Sequence, residues 1–169
     1  MKMTSAQAAK LLRQLDDEYR TLIRHEDNTR TFIAAISEDV ESVRPEYSYT
    51  DTKKQLDEIT AKIRKVKHAI NIFNTTTIIP GFDMTIDEML VYLPQLSVRA
   101  SRLSAMKDML PKERVPGGYG GSSQIIDYRY ANFDIAEAKE DYAALTDELA
   151  KAQTALDLVN STAELDIEI

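Results

Sequence analysis

The chain has 169 residues, 43% hydrophobic and 29% charged, so it is long enough for one folded domain and too apolar to be disordered. It has no Cys, which excludes disulfides, thiolate metal sites and Cys nucleophiles, and its net charge of −7 argues against general nucleic-acid binding. Five Gly and five Pro are few, so long regular elements are expected.

The N-terminus leads straight into a polar amphipathic pattern with no apolar signal-like core. No apolar run approaches the roughly 18–20 residues of a membrane span, so a cytoplasmic location is expected. The Thr4-x-x-Gln7 pattern is a capping box that starts a helix near Ser5. Ala8, Leu12, Leu15, Tyr19 and Leu22 follow at steps of four and three, a coiled-coil-like stripe that fades around Glu26-Asp27-Asn28. Arg30 to Ile36 is rich in β-branched and aromatic residues and could continue the helix or form a short strand; the charged Glu26-Asp27 favour the strand, with Tyr47-Ser48-Tyr49 as the partner of Phe32 to Ile36 in an arm. Ser37 to Glu46 between them reads as loop.

A second helix is expected from Thr50 or Asp51, with the stripe Leu56, Ile59, Ile63, Val66, Ile70 and Phe73. Asn74 reads as its left-handed stop. Thr75 to Ile79 is β-prone, and Pro80-Gly81 is a turn signal. Thr85-x-x-Glu88 is another capping box. It opens a third helix through Met89, Leu93, Leu96, Ala100, Leu103 and Leu110, which Pro94 should kink or divide. Residues 111–123 hold four of the five Gly and read as loop; Gln124 to Tyr130 alternates as a strand. Asp134-x-x-Glu137 starts a fourth helix with the stripe Ala138, Tyr142, Leu145, Leu149, Ala152, Leu156 and Val159. It stops at Asn160, and Leu165 to Ile169 alternates as a terminal strand.

The two halves, about 3–79 and 84–169, can be superposed. At an offset of 81, Met3, Thr4, Leu12, Gln14, Leu15 and Leu22 fall on Met84, Thr85, Leu93, Gln95, Leu96 and Leu103. At an offset of 86, Lys53, Thr60, Lys65, Ala69, Asn74 and Thr76 fall on Lys139, Thr146, Lys151, Ala155, Asn160 and Thr162. A five-residue change in the arm accounts for the two offsets. The expected fold is therefore mainly α: one domain over 1–169, an antiparallel four-helix bundle of two pseudo-repeated helix–arm–helix units with short β-hairpin arms. Bundles this thin often recruit further subunits, so a homo-oligomer is expected.

The stretch Lys67-His68-Ala69-Ile70-Asn71-Ile72-Phe73-Asn74-Thr75-Thr76-Thr77, the Thr85 to Glu88 helix start and the Asn160-Ser161-Thr162 stop together resemble a septicolysin-like family of small bacterial helical proteins. The resemblance runs from about residue 50 onward, and the Asn-x-x-Asn helix ending is its most specific element. It implies a helical fold and, from its label, a membrane-active cytolysin. It brings no catalytic residue with it.

The residues themselves offer no enzyme signature. His25 and His68 sit near helix C-termini, where a cation is favoured for structural reasons. No pair of metal-binding His motifs and no Gly-x-Ser-x-Gly elbow is present. Neither a metal nor a cofactor is expected. Lys62, Arg64, Lys65 and Lys67 form a basic cluster that reads as the solvated side of the second helix.

The sharper feature is the Gly-rich arm. Gly117, Gly118, Gly120 and Gly121 expose backbone N–H groups, and Ser122 and Ser123 add hydroxyls. Lys112, Arg114 and Arg129 add positive charge, and Tyr119, Tyr128 and Tyr130 add stacking faces. Such a set suits a small phosphate-bearing, nucleotide-like ligand. Asn71 is a further candidate, as a hydrogen-bonding group on the second helix. The expected function is a non-enzymatic oligomer that binds or sequesters such a ligand, as a phage protein blocking a host's nucleotide signal would. The alternative is a structural interaction module without a ligand.

Overall fold

A computed structural model describes residues 1–115 and 127–169. The chain is mainly helical, with small antiparallel strand pairs. It divides into two compact units, Met1–Thr77 with Leu158–Ile169, and Ile78–Asp157.

The first unit is a helical hairpin. Strand β1 (Lys2–Thr4) leads into helix α1 (Ser5–Thr29), a one-turn helix α2 (Val40–Val43) interrupts the arm, and α3 (Tyr49–Thr76) returns. The Thr4 hydroxyl accepts from the Gln7 N–H, and the Gln7 side chain accepts from the Thr4 N–H, so the expected capping box starts α1. At the other end of the hairpin, the Tyr47 hydroxyl donates to Glu26 at 2.8 Å, so α3 begins where α1 ends and the helices run antiparallel.

The expected arm strands do not form. Phe32 to Ala35 lies outside regular structure, and Tyr49 is already helical, with Ser48 capping α3 through the Asp51 N–H. A β-prone segment becomes a strand only where a neighbour completes its ladder and its side chains have a surface to pack on. Here the Ala35 N–H donates to the Glu38 carboxylate at 2.7 Å instead, closing a local turn, and Ile33 and Ile36 are 95% and 109% exposed.

Both expected Asn stops are overrun. Helix α3 continues two residues past Asn74, and α5 (Ile135–Thr162) two past Asn160. Neither Asn is left-handed; Asp83 is the one non-Gly residue with positive φ among those described. The hydroxyl residues that follow extend each helix rather than end it. Thr75 and Thr76 donate back to the Asn71 and Ile72 carbonyls, and Ser161 and Thr162 to that of Leu158, so these hydroxyls bond within the last turn of the helix.

In the second unit β2 (Ile78–Ile79) pairs with β3 (Met84–Thr85), which feeds α4 (Ile86–Lys107). Helix α4 runs unbroken through Pro94 and ends before the expected Leu110, which is 62% exposed. Ile86, Met89, Leu96 and Ala100 form its buried stripe. On α5, Ala138, Leu145, Ala152 and Leu156 are buried, and the Asp134 carboxylate caps the start by accepting from the Ala136 N–H at 2.8 Å. The Tyr92 hydroxyl on α4 donates to Glu148 on α5, which holds its phenol above the usual tyrosine pKa.

The β2–β3 turn places Gly81 at φ +85° and Asp83 at φ 50°, both left-handed. Nothing lies within 4 Å of a Cβ built on Gly81, so Gly81→Ala meets only the backbone penalty, about 1 kcal/mol. Asp83→Gly relieves the corresponding strain. Thermal melts should therefore shift down for the first variant, and for the second move up or stay level.

The two capping boxes differ in one respect that is measurable. At the start of α4, Glu88 accepts from the Thr85 N–H at 2.8 Å and from its hydroxyl at 3.0 Å, and these bonds lower its pKa from 4.5. A carboxyl whose folded pKa is depressed stabilises the fold above its unfolded pKa, and that contribution fades as pH falls through the folded value. The box of α1 uses neutral Gln7. The stability gap between wild type and Thr85→Ala should hence narrow between neutral pH and pH 3, whereas that for Thr4→Ala should stay level. Urea titrations across that range would measure both.

Candidate functional site

The second unit carries a short hairpin of which the sequence pattern announces one strand, within Gln124 to Tyr130. Strand β4 (Lys112–Arg114) pairs antiparallel with β5 (Tyr128–Tyr130), in the register Lys112↔Tyr130, Glu113↔Arg129, Arg114↔Tyr128. The ladder extends to either side, with Val115 N–H donating to the Asp127 carbonyl at 2.9 Å and Ala131 N–H to that of Pro111 at 3.1 Å. Residues 112–114 were expected as loop. They are a strand because β5 supplies the ladder, although three charged residues in a row carry no apolar alternation.

The register sorts the expected site residues. Opposite residues of an antiparallel pair share a face, and successive residues alternate. Lys112, Arg114, Tyr128 and Tyr130 therefore stand on one face, two cations interleaved with two phenols. The Lys112 ammonium sits 4.0 Å from the centroid of the Tyr128 ring and 5.5 Å from that of Tyr130. At an exposed site such contacts contribute roughly 0.5–1 kcal/mol each, enough to order the lysine without hiding it. All four residues are exposed.

Arg129 falls on the opposite face, across from Glu113. With Asp108, Met109, Leu110, Glu113 and Ala131 it lines a concavity of about 410 Å³. Two carboxylates in that lining make it a poor place for an anion. Gly117, Gly118, Tyr119, Gly120, Gly121, Ser122 and Ser123 lie outside the described residues. Asn71 belongs to the first unit, exposed on α3, where its carbonyl accepts from the Thr75 hydroxyl. Alternation on β5 could have separated Arg129 from the two tyrosines. The pairing with β4 could not have been read without the fold.

A second concavity, of about 460 Å³, lies within the first unit. Helix α3 supplies Lys65, His68, Ala69, Ile72, Phe73 and Thr76, and the C-terminal tail supplies Leu165, Asp166 and Glu168. Its floor is apolar: Phe73 and Leu165 are buried, while Ile72 remains 50% exposed on the rim. By sequence, His68 and Lys65 are expected in structural or solvated roles. Their spacing with Ile72 on one helical face was the available signal for a shared surface.

Among the described residues, no group of three or more acidic or His side chains could hold a metal ion, and no helix is long and apolar enough to cross a membrane. No protein-family model matches the chain, and neither does any curated protein. One solved structure matches 98% of this chain and 100% of its own, at 18% identity and a TM-score of 0.58. It is a functionally unknown conserved protein from Corynebacterium diphtheriae, and the likeness is one of fold.

Proposed function

We propose that the protein is a non-enzymatic, oligomeric binding protein that captures a small nucleotide-like anion on the β4–β5 arm. The single observation that carries this reading is the arm's cation–aromatic face. Lys112 and Arg114 alternate along one strand, about 6.8 Å apart by strand geometry, and Tyr128 and Tyr130 alternate along the other. A phosphate needs hydrogen-bonding cations, and a base needs a flat ring to stack on. Both stand on one exposed face. Sequestration of a signalling nucleotide, as in a phage counter-defence protein, is the biological form of this proposal.

The architecture proposed with it is a duplicated helix–arm–helix unit whose four long helices form one antiparallel bundle. The offsets of 81 and 86 residues support it. So does the parallel between the units: a short strand leads into a capping-box helix at Thr4 and at Thr85. The helical expectation of the septicolysin-like resemblance agrees with this arrangement.

Calorimetry with a panel of mono-, di- and cyclic nucleotides tests the binding reading. For the nucleotide that binds, Arg114→Ala should weaken affinity about tenfold or more, the loss of one charge-assisted contact. Arg129→Ala, on the other face, should leave it within about twofold. Equal losses from both variants, or no binding across the panel, would sink the proposal.

A further inference from the structure

The long helices that open the two halves of the chain differ on the side turned away from the core. Strand β6 (Glu164–Asp166) pairs antiparallel with β1 as β2 pairs with β3, and the registers correspond. Met3 faces Leu165 and Thr4 faces Glu164 in one pair; Met84 faces Ile79 and Thr85 faces Ile78 in the other. These residues are related by the same offsets of 81 and 86, so α1 and α4 leave equivalent strands at equivalent capping boxes. On α1 the outer stripe is Lys10, Arg13, Asp17, Arg20 and Arg24, every one exposed and charged. At the offset of 81, α4 carries Val91, Pro94, Val98, Ser101 and Ala105, every one exposed and uncharged.

A solvated helix face needs no such stripe. Charged residues serve at all five positions of α1, the ordinary pattern for the outside of a helix. Leu90 widens the α4 stripe, and Leu90, Val91 and Val98 are 48%, 58% and 71% exposed. Left in water, that surface forfeits the stabilisation that a partner would supply by burying it. We infer that α4 is the contact between two copies of this chain, packed antiparallel about a two-fold axis.

The charges at the ends of the stripe select a second copy as the partner. Asp87 and Glu88 occupy the first turn, residues 89–98 carry no charge, and Arg99 and Arg102 follow; all four charged residues are exposed. Among the described residues, Asp87, Arg99 and Arg102 enter no ion pair. Parallel packing would set like charges together. Antiparallel packing with Val91 of each copy beside Val98 of the other brings Asp87 beside Arg102 at both ends at once. The pattern is complementary to itself, and such a contact closes as a dimer. From Val91 to Ala105 the stripe runs about 21 Å at 1.5 Å per residue. A helix pair of that length buries less than the roughly 800 Å² per partner of a standard interface. Association is therefore in the micromolar range and adds little to the stability of the fold.

Sedimentation of the full chain over about 1–100 μM tests the contact. The wild-type mass should rise with concentration from 19.1 kDa towards twice that value. Val91→Lys with Val98→Lys sets like charges against each other. Both positions are exposed, and α1 carries charge at their equivalents, so this variant should fold and stay at 19.1 kDa. Arg102→Asp should weaken association about tenfold, and Asp87→Arg added to it should restore the wild-type affinity, because the reversed pair matches again across the two-fold. A wild type that stays monomeric, a dimer that survives the Lys pair, or a double reversal no tighter than the single one would each overturn the inference. It rests on the duplicated and oligomeric parts of the proposed function; calorimetry on the β4–β5 arm reads ligand capture whichever way the sedimentation falls.

Discussion

Leu96→Ala should lower stability by about 3 kcal/mol and the melting temperature by roughly 6–12 °C. Leu96 is 0% exposed on the inner stripe of α4, where Ile86 and Met89 are also buried. Shortening it removes three carbons from a close-packed setting and leaves a cavity that the helix backbone cannot collapse to fill. Val98, two residues on, is 71% exposed on the same helix. Val98→Ala should change stability by no more than about 0.5 kcal/mol, since it removes little buried surface and Ala is the better helix former. Chemical denaturation of both variants reads the contrast. Losses of equal size would mean that the α4 stripe has been assigned to the wrong face.

Ile167→Ala should also cost about 3 kcal/mol, whereas Ile169→Ala should be close to neutral. Ile167 is 1% exposed and Ile169 48% exposed; by alternation the two share a face, and Ile169 lies two residues beyond the pairing with Met1. Apolar burial holds the tail more than charge does. The Met1 ammonium meets the Asp166 carboxylate at 2.7 Å and lowers its pKa, but the two groups are 53% and 66% exposed. An ion pair as open to water as that contributes little. The Ile167 loss cannot exceed the free energy of detaching β6, so its size also measures how firmly the tail is held. Hydrogen exchange at the Ile167 amide, which donates to the Met1 carbonyl, gives an independent reading.

Local rules carried furthest where the interaction is itself local. Thr4 with Gln7, Thr85 with Glu88, and Asp134 with the N–H groups of Ala136 and Glu137 all start helices where the sequence places them. Each of these bonds spans three residues or fewer and needs no other part of the chain. The α4 stripe and the alternating tail were legible for a related reason. Their periods of 3.6 and 2 report which side faces the core, whatever that core contains. The helix ends were misread because a Thr or Ser hydroxyl after Asn has two local options, and bonding back to a carbonyl won over stopping the helix.

Of the candidate site, Lys112, Arg114, Tyr128 and Tyr130 were found from composition, but their common face was not. It follows from the register of β4 on β5, which joins residues 14 to 18 apart in sequence. The same limit explains Phe32 to Ile36. Its strand propensity was visible, but a strand needs a partner, and the first unit supplies none at the tip.

By itself, then, the sequence determined that the chain is mainly helical, where its helices begin and which faces are apolar. Those properties rest on contacts within a turn or two. The tertiary structure decided which β-prone segments became strands, which side of the arm each charge occupies, and where a groove was left open. Those depend on pairing between distant segments, and a single chain's residue order does not specify the partner.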